Sequence, residues 1–292
     1  MAGAAIGLVA DRLLGEPPSP LHPVARFGAV MRVVERHVYG DTRGAGSAHA
    51  ALGVAGAVLA GGALPTALAT YIAVAGCSLR ETAGAVGAAL ADGRLDEARC
   101  LLPALVGRQT AGLDEKEMAR AVVESLAENT VDAVVAPALW AALAGGPGAW
   151  GYRAVNTLDA MVGHRSRRYE RFGWASARLD DAANFIPARV TAALVAAVRP
   201  GRARLVWTVV RRDAARHPSP NAGVAEAAFA AALGLRLGGA NIYGGRVEVR
   251  PSLGEGRPPE PSDIAPASAL SRDVETALTV LLAAAAAPRW RR

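Results

Sequence analysis

The chain has 292 residues, a net charge of +6, and 52% apolar but only 5% aromatic residues. That length allows one large domain or two small ones with a substantial core. An alanine- and glycine-rich chain of positive mean hydropathy suits helices packed closely through small side chains, as membrane helices often are. Nucleic acid is the least favoured partner, because no basic stripe carries interleaved aromatics, and the positive charge is left for anionic lipid or anionic substrate. Nearly all of it is arginine, Lys116 being the only lysine. GC-rich coding explains the bias, and arginine still grips phosphate and carboxylate bidentately. Cys77 and Cys100 have no CxxC spacing and no ligand neighbours, so neither zinc nor a disulfide framework is expected.

The opening MAGAAIGLVA lacks a basic leader and a cleavage pattern, and is expected to be a short or truncated first membrane helix rather than a signal peptide. The proline-dense DRLLGEPPSPLHPVARFG must then break the helix in an ordered turn that carries Asp11, Glu16 and His22. Between Arg43 and Arg80 no residue is formally charged. The gap exceeds the roughly 20 residues that cross a bilayer, which predicts a span, with Gly61, Gly62 and Pro65 marking a kink or re-entrant turn. A buried helix pair in a soluble protein is the alternative, since periodicity alone does not separate the two. Residues 80 to 112 return to a soluble pattern: SLRETAGAVGAALADG and RLDEARCLLPAL read as short amphipathic helices, and VGRQTAG, with Arg108, as a turn.

The stretch Leu113 to Pro137 carries the strongest helix pattern. Asp114 serves as N-cap with Glu117 at N3, a capping box. At 100° per residue Glu117, Glu124, Glu128 and Asp132 fall within an arc of roughly 80° and cover roughly 20 Å of one face. A solvated face, with Glu117 a cap and Glu124 paired to Arg120, is the bland explanation. Against it, no further charge occurs until Arg153, and carboxylates beside apolar segments are expensive, roughly 2.5–3.5 kcal/mol each near a bilayer centre.

Ala133 to Tyr152 is long enough to cross a membrane, with a break expected near Pro147. RAVNTLDAMVGHRSRRYERFGWASARLDDAANFIPARV then offers Asn156, Thr157, Asp159, Arg165, Arg178, Asp180, Asp181, Asn184 and Arg189. An Asp-Asp pair beside Asn and Arg is a plausible holder of Mg²⁺ against phosphate oxygens, though LDD is as often a helix cap. After an apolar stretch at Val190–Val198, a loop to Arg216 is expected to bring six arginines to the basic, cytoplasmic side. His217, Asn221 and Glu226 precede a glycine-rich turn at Gly238–Gly245. Without GxxxxGK or GxGxxG spacing, neither a P-loop nor a dinucleotide fingerprint is present. A hairpin around Arg246–Arg250 and a proline-rich connector lead to a last apolar helix, Asp273 to Ala287, ending in anchoring arginines up to Arg292.

Four blocks together resemble the CobD/CbiB family: DRLLGEPPSPLHPVARFG, LVGRQTAGLDEKEMARAVVESLAENTVDAVVAPALW, YRAVNTLDAMVGHRSRRYERFGWASARLDDAANFIPARV and HPSPNAGVAEAAFAAALGLRLGG, in family order over most of the chain. The resemblance implies an all-α, polytopic membrane enzyme in one domain with a more soluble helical insertion at about 80–130, in the cell membrane with its active site facing the cytoplasm. The family usually carries a longer apolar helix before the LLGEPP block, so the first span is the point of departure.

The implied activity is adenosylcobinamide-phosphate synthase. It joins the propionate carboxylate of adenosylcobyric acid to (R)-1-amino-2-propanol or its O-phosphate, with ATP and Mg²⁺. Glu124, Glu128, Asp132, Asp180 and Asp181 are the expected catalytic carboxylates, with Glu124, Glu128 and Asp181 as metal ligands. Arg108, Arg178 and Arg189 are expected to clamp phosphate. Asn129, Asn156, Thr157 and Asn221 are expected to orient substrates, and Asp11, Glu16, His22, Asp159 and His217 to contact them. Expected partners are the corrinoid, the amino alcohol phosphate and membrane lipid, with a homo-oligomer or a complex with other corrinoid enzymes left open. An Asp-rich membrane prenyl- or phosphotransferase, using the same carboxylate and arginine chemistry, and a non-enzymatic corrinoid permease or scaffold are the competing classes.

Overall fold

The computed structural model describes residues 1–16, 22–107, 109–164, 166–243 and 246–287, with backbone alone at 242, 243, 246 and 247. The described residues are mostly helical, with one two-stranded hairpin. Three helical runs are long and apolar enough to cross a membrane: Arg43–Gly62, Glu115–Gly163 and Trp174–Val198. The chain forms two compact units, one of residues 1–75, 132–187 and 278–292, the other of 76–131 and 188–277.

In the first unit, α1 (Ala2–Leu14) runs further than the uncharged opening suggested and takes in Asp11, which is buried. Next comes α2 (Pro23–Val38), with proline in its first turn and His22 as N-cap. The uncharged gap is filled by α3 (Arg43–Gly62), whose N-cap Thr42 accepts from the Ala45 N–H, and by the short α4 (Thr66–Ala73). The break between them falls at Ala63–Pro65, where the glycines and proline placed it. Small residues let these helices touch. A Cβ on Gly61 would lie 2.5 Å from the Gly146 carbonyl oxygen, and one on Gly146 2.2 Å from that of Gly61, so α3 and α8 (Ala136–Leu158) meet backbone to backbone. Within α8, Gly145 takes φ 67°, ψ −149° just ahead of Pro147, which is the expected break.

The second unit holds α5 (Gly76–Ala91), α6 (Leu95–Leu101) and α7 (Glu115–Thr130). Met118, Val122, Val123 and Leu126 of α7 are fully buried with Val86, Leu102, Leu235 and Leu253, so the face of α7 opposite its carboxylates makes the core. The Asp114–Glu117 capping box is formed in both directions, at 2.8 and 2.9 Å. The arginine-rich segment expected as a loop is instead α10 (Ala203–Asp213), because Val206 and Val209 recur at helical spacing and are buried while the arginines face outward. Beyond α11 (Ala222–Leu233), the expected glycine turn is strand: β1 (Leu237–Tyr243) pairs antiparallel with β2 (Arg246–Leu253). Gly238 is needed there at φ 91°, since a Cβ would sit 2.2 Å from the Pro251 carbonyl oxygen. The last helix, α12 (Ile264–Ala286), begins nine residues earlier than the apolar pattern indicated. Arg289 to Arg292 lie outside the described residues, as do Arg108 and Arg165.

Candidate functional site

The helix that starts as α7 does not end at Thr130. It passes through a π turn, Val131–Val135, into α8, and a second π turn, Asp159–Gly163, closes the run. Each π turn opens on or near an acid, Asp132 in one and Asp159 in the other. Such turns insert an extra residue and re-aim side chains, and they occur often at functional sites. Helix α9 (Trp174–Val198) brings Arg178, Asp180, Asp181, Asn184 and Arg189 on one continuous element. The LDD sequence is therefore helix interior and not a cap.

In the first unit these elements assemble a polar cluster. The Asn156 amide group donates to Asp132 Oδ2 at 3.2 Å and to Asp180 Oδ1 at 3.3 Å. The Asn184 amide donates to Asp180 Oδ2 at 3.1 Å, and its own Oδ1 accepts the Tyr152 hydroxyl at 2.9 Å. Arg153 reaches Asn156 Oδ1 at 3.5 Å. One carboxamide thus holds two carboxylates, from chain segments 48 residues apart, within reach of each other. Two like charges so placed repel, and a cation between or beside them removes the penalty. Half-buried Asp181 pairs with exposed Arg178 at 3.3 Å. Thr157 donates its hydroxyl to the Arg153 carbonyl at 2.7 Å, and half-buried Asp159 packs where a Cβ on Gly163 would lie 1.8 Å from its Oδ1. Glu16 is half-buried just beyond α1.

The second unit contains a different arrangement. Glu124 is buried, paired with Arg120 at 3.1 Å, and accepts the Gly238 N–H at 2.9 Å. Arg120 also donates to Asn241 Oδ1 and the Ala240 carbonyl, at 3.0 and 2.8 Å. Glu124 and Arg120 therefore dock β1 on α7. His217 accepts from Arg250 through Nε2 at 2.7 Å, which leaves its proton on Nδ1, 3.1 Å from the Ser219 carbonyl; Glu226 lies 3.8 Å from Nε2. Burial, together with the Arg250 charge, holds the His217 imidazole below its usual pKa and neutral. Arg189 donates to Asn221 Oδ1 at 3.2 Å and toward the Pro220 carbonyl. Asn129 bonds back to Ser125, and Glu128 is exposed.

Among the described residues no three His, Cys, Asp or Glu groups gather as a ready metal site. Of the expected metal ligands, Glu124 and Glu128 belong to the second unit and Asp181 to the first. Mg²⁺ asks for less, since one or two carboxylates suffice when water and substrate supply the remaining ligands. The Asp132–Asp180 pair has that donor set.

Of the first cluster, Tyr152 and Arg153 are absent from the expected site residues, and Asn184 is a candidate there without an assigned role. Helical spacing was the available signal, because Asn184 stands four residues after Asp180 and Tyr152 four before Asn156. Asn241 and Arg250 gave no such local signal.

Residues 4–271 match the family model described as CobD/Cbib protein. The chain belongs to this family. It is similar to a "Cobalamin biosynthesis protein CobD" of Mycobacterium tuberculosis, 47% identical over 293 residues that cover 96% of this chain and 93% of the relative. Proteins with the same description are 44% identical in Chromobacterium violaceum, covering 89% of this chain and 88% of the relative, and 42% identical in Geobacter metallireducens, covering 87% of each. No solved structure matches the chain. Family membership places the chain in cobalamin biosynthesis, and its three long apolar helical runs are those of a helical membrane protein.

Proposed function

We propose that the protein catalyses the amide-forming step of cobalamin biosynthesis, joining adenosylcobyric acid to (R)-1-amino-2-propanol O-phosphate or the free amino alcohol at the cost of ATP, in the cell membrane with its site open to the cytoplasm. Supporting this are the family, whose relatives are named for cobalamin biosynthesis, and the Asp132–Asn156–Asp180 cluster, which is the single observation that carries the chemistry.

A carboxylate and an ammonium do not condense at neutral pH. The carboxylate must first be activated, naturally as an acyl phosphate formed with release of ADP, and the amine must lose a proton before it attacks and expels phosphate. Asp132 and Asp180 would hold Mg²⁺, which when bound neutralises phosphate charge. Asn156 and Asn184 fix both carboxylates and, being neutral, leave their negative charge in place. Arg153, one helical turn from Asn156, offers a guanidinium to a phosphate or propionate, and a carboxylate oxygen of Asp132 or Asp180 that does not touch the metal is the acceptor within this cluster for the ammonium proton. Arg189, with Asn221, is the corresponding anion clamp of the second unit. Glu124 positions the hairpin that carries Asn241.

Membranes containing the protein, incubated with adenosylcobyric acid, the amino alcohol phosphate and MgATP, should yield a product heavier by the amino alcohol phosphate minus water. Prenyl diphosphate consumption without ATP, or corrinoid binding without MgATP-dependent product, would overturn the proposal.

A further inference from the structure

Beside the Asp132–Asp180 pair stands a side chain to which the proposed chemistry gives no part. Tyr152 on α8 is buried, and its hydroxyl is the only polar group of its side chain. That hydroxyl lies 2.9 Å from Asn184 Oδ1 and 3.3 Å from the Asp132 backbone carbonyl oxygen. Both are acceptors, so the hydroxyl donates, and its single proton serves the two of them. Phenylalanine would fill the same core, so packing alone does not call for the hydroxyl.

A carboxamide can meet a carboxylate with either end. Because the Tyr152 hydroxyl takes Oδ1, Asn184 turns Nδ2 toward Asp180 Oδ2, 3.1 Å away; turned round, it would set an oxygen against the charge. At Asp132 the π turn interrupts the α-helical ladder and leaves carbonyls to be met from elsewhere. The Ala133 carbonyl accepts the Ala75 N–H at 2.9 Å, and that of Asp132 faces the Tyr152 hydroxyl.

The hydrogen bonds therefore close on themselves. Tyr152 reaches Asn184, Asn184 holds Asp180, Asn156 joins Asp180 to Asp132, and the Asp132 carbonyl returns to Tyr152. Along an open chain two like charges would draw apart, whereas a closed ring fixes their spacing. We propose that Tyr152 is the positioning residue of the acid pair, its hydroxyl closing the ring that holds both carboxylates together for a divalent cation. This rests on the reading of Asp132 and Asp180 as the Mg²⁺ site, and adds to it a residue that shapes the site without touching the ion.

Full-length protein in detergent, titrated with Mn²⁺ as the probe and followed by electron paramagnetic resonance of the free ion, tests this without turnover. Wild type should bind Mn²⁺ that excess Mg²⁺ displaces and that Asp180→Asn loses. Tyr152→Phe should weaken this binding about tenfold or more, as loss of an outer-shell partner commonly does. Trp140→Phe is the control. The Trp140 indole N–H donates at 3.1 Å to the Ala183 carbonyl, which Pro187 leaves without its helical N–H, so it joins the same two helices outside the ring. Its loss should lower the melting temperature as Tyr152→Phe does, yet keep Mn²⁺ affinity within about twofold of wild type, since the bond lies outside the ring that shapes the site.

Wild-type Mn²⁺ affinity in Tyr152→Phe, or equal losses of affinity in Tyr152→Phe and Trp140→Phe, would overturn this assignment and leave the acid pair standing as the cation site. Wild-type protein that binds no Mn²⁺ would overturn both. Should Tyr152→Phe fail to fold, Asn184→Leu, which opens the ring at the next link, decides it: weakened Mn²⁺ binding supports the proposal and undiminished binding overturns it.

Discussion

Glu124 and Asp180 are both acids on long helices, yet the two regions use them oppositely. Glu124 in the second unit is met by the guanidinium of Arg120 and a backbone N–H from a strand, so its charge is balanced on the spot and its geometry fixed. Asp180 in the first unit is held by the amides of Asn156 and Asn184, which orient it without cancelling its charge, and the Asp132 carboxylate shares one of those amides. A carboxylate held by guanidinium is suited to fastening a fold. One held by carboxamides beside a second carboxylate is suited to receiving a cation or a proton.

This contrast sets the order of expected effects. The largest is at the amide-held pair: Asp180→Asn, nearly isosteric, should lower the rate of amide formation about 10³-fold, equivalent to about 4 kcal/mol of barrier, while the purified protein melts within a few degrees of wild type. Asp132→Asn should behave alike, and product formation followed by mass measures both.

Next comes Glu124→Ala, which strands Arg120 in a buried setting and frees β1. Breaking such a pair costs about 3 kcal/mol, so a clear drop in melting temperature is expected, with residual activity tracking the folded fraction.

The smallest effect is on pH dependence in the second unit. His217 has a folded pKa below its ordinary 6.5, so the unfolded chain binds the proton first. Stability is therefore complete above about 6.5 and is lost as pH falls from there toward the folded value. Thermal unfolding at a series of pH values should show this slope, and His217→Gln, which still offers Arg250 an oxygen, should flatten it. His22 contributes with the same sign in the first unit.

Local signals were legible and long-range ones were not. The Asp114–Glu117 capping box, the turn at Gly61–Pro65 and the break ahead of Pro147 each depend on neighbouring residues, and each is present. The stripe from Glu117 to Asp132 forms one face on a helical wheel, but such an arc does not say what packs against it. Glu117 serves the cap, Glu124 meets a hairpin more than a hundred residues away, and Asp132 shares an amide with Asp180. The π turn at Val131–Val135 also shifts Asp132 off the ideal 100° register, a change no periodicity count contains. Arginine density hid the helix from 203 to 213, where two buried valines outweigh the charges around them. Glycine density from 238 to 245 suggests a turn and so a short hairpin, although Gly238 serves close backbone approach within a strand.

The most direct test compares Asp180→Asn with Glu124→Ala in the adenosylcobyric acid, amino alcohol phosphate and MgATP assay, with each rate divided by the amount of folded protein. A deficit of at least 100-fold for Asp180→Asn, against less than tenfold for Glu124→Ala, is the predicted result. Equal deficits, or an Asp180→Asn protein that forms the amide at the wild-type rate, would contradict the assignment of the chemistry to the amide-held acids.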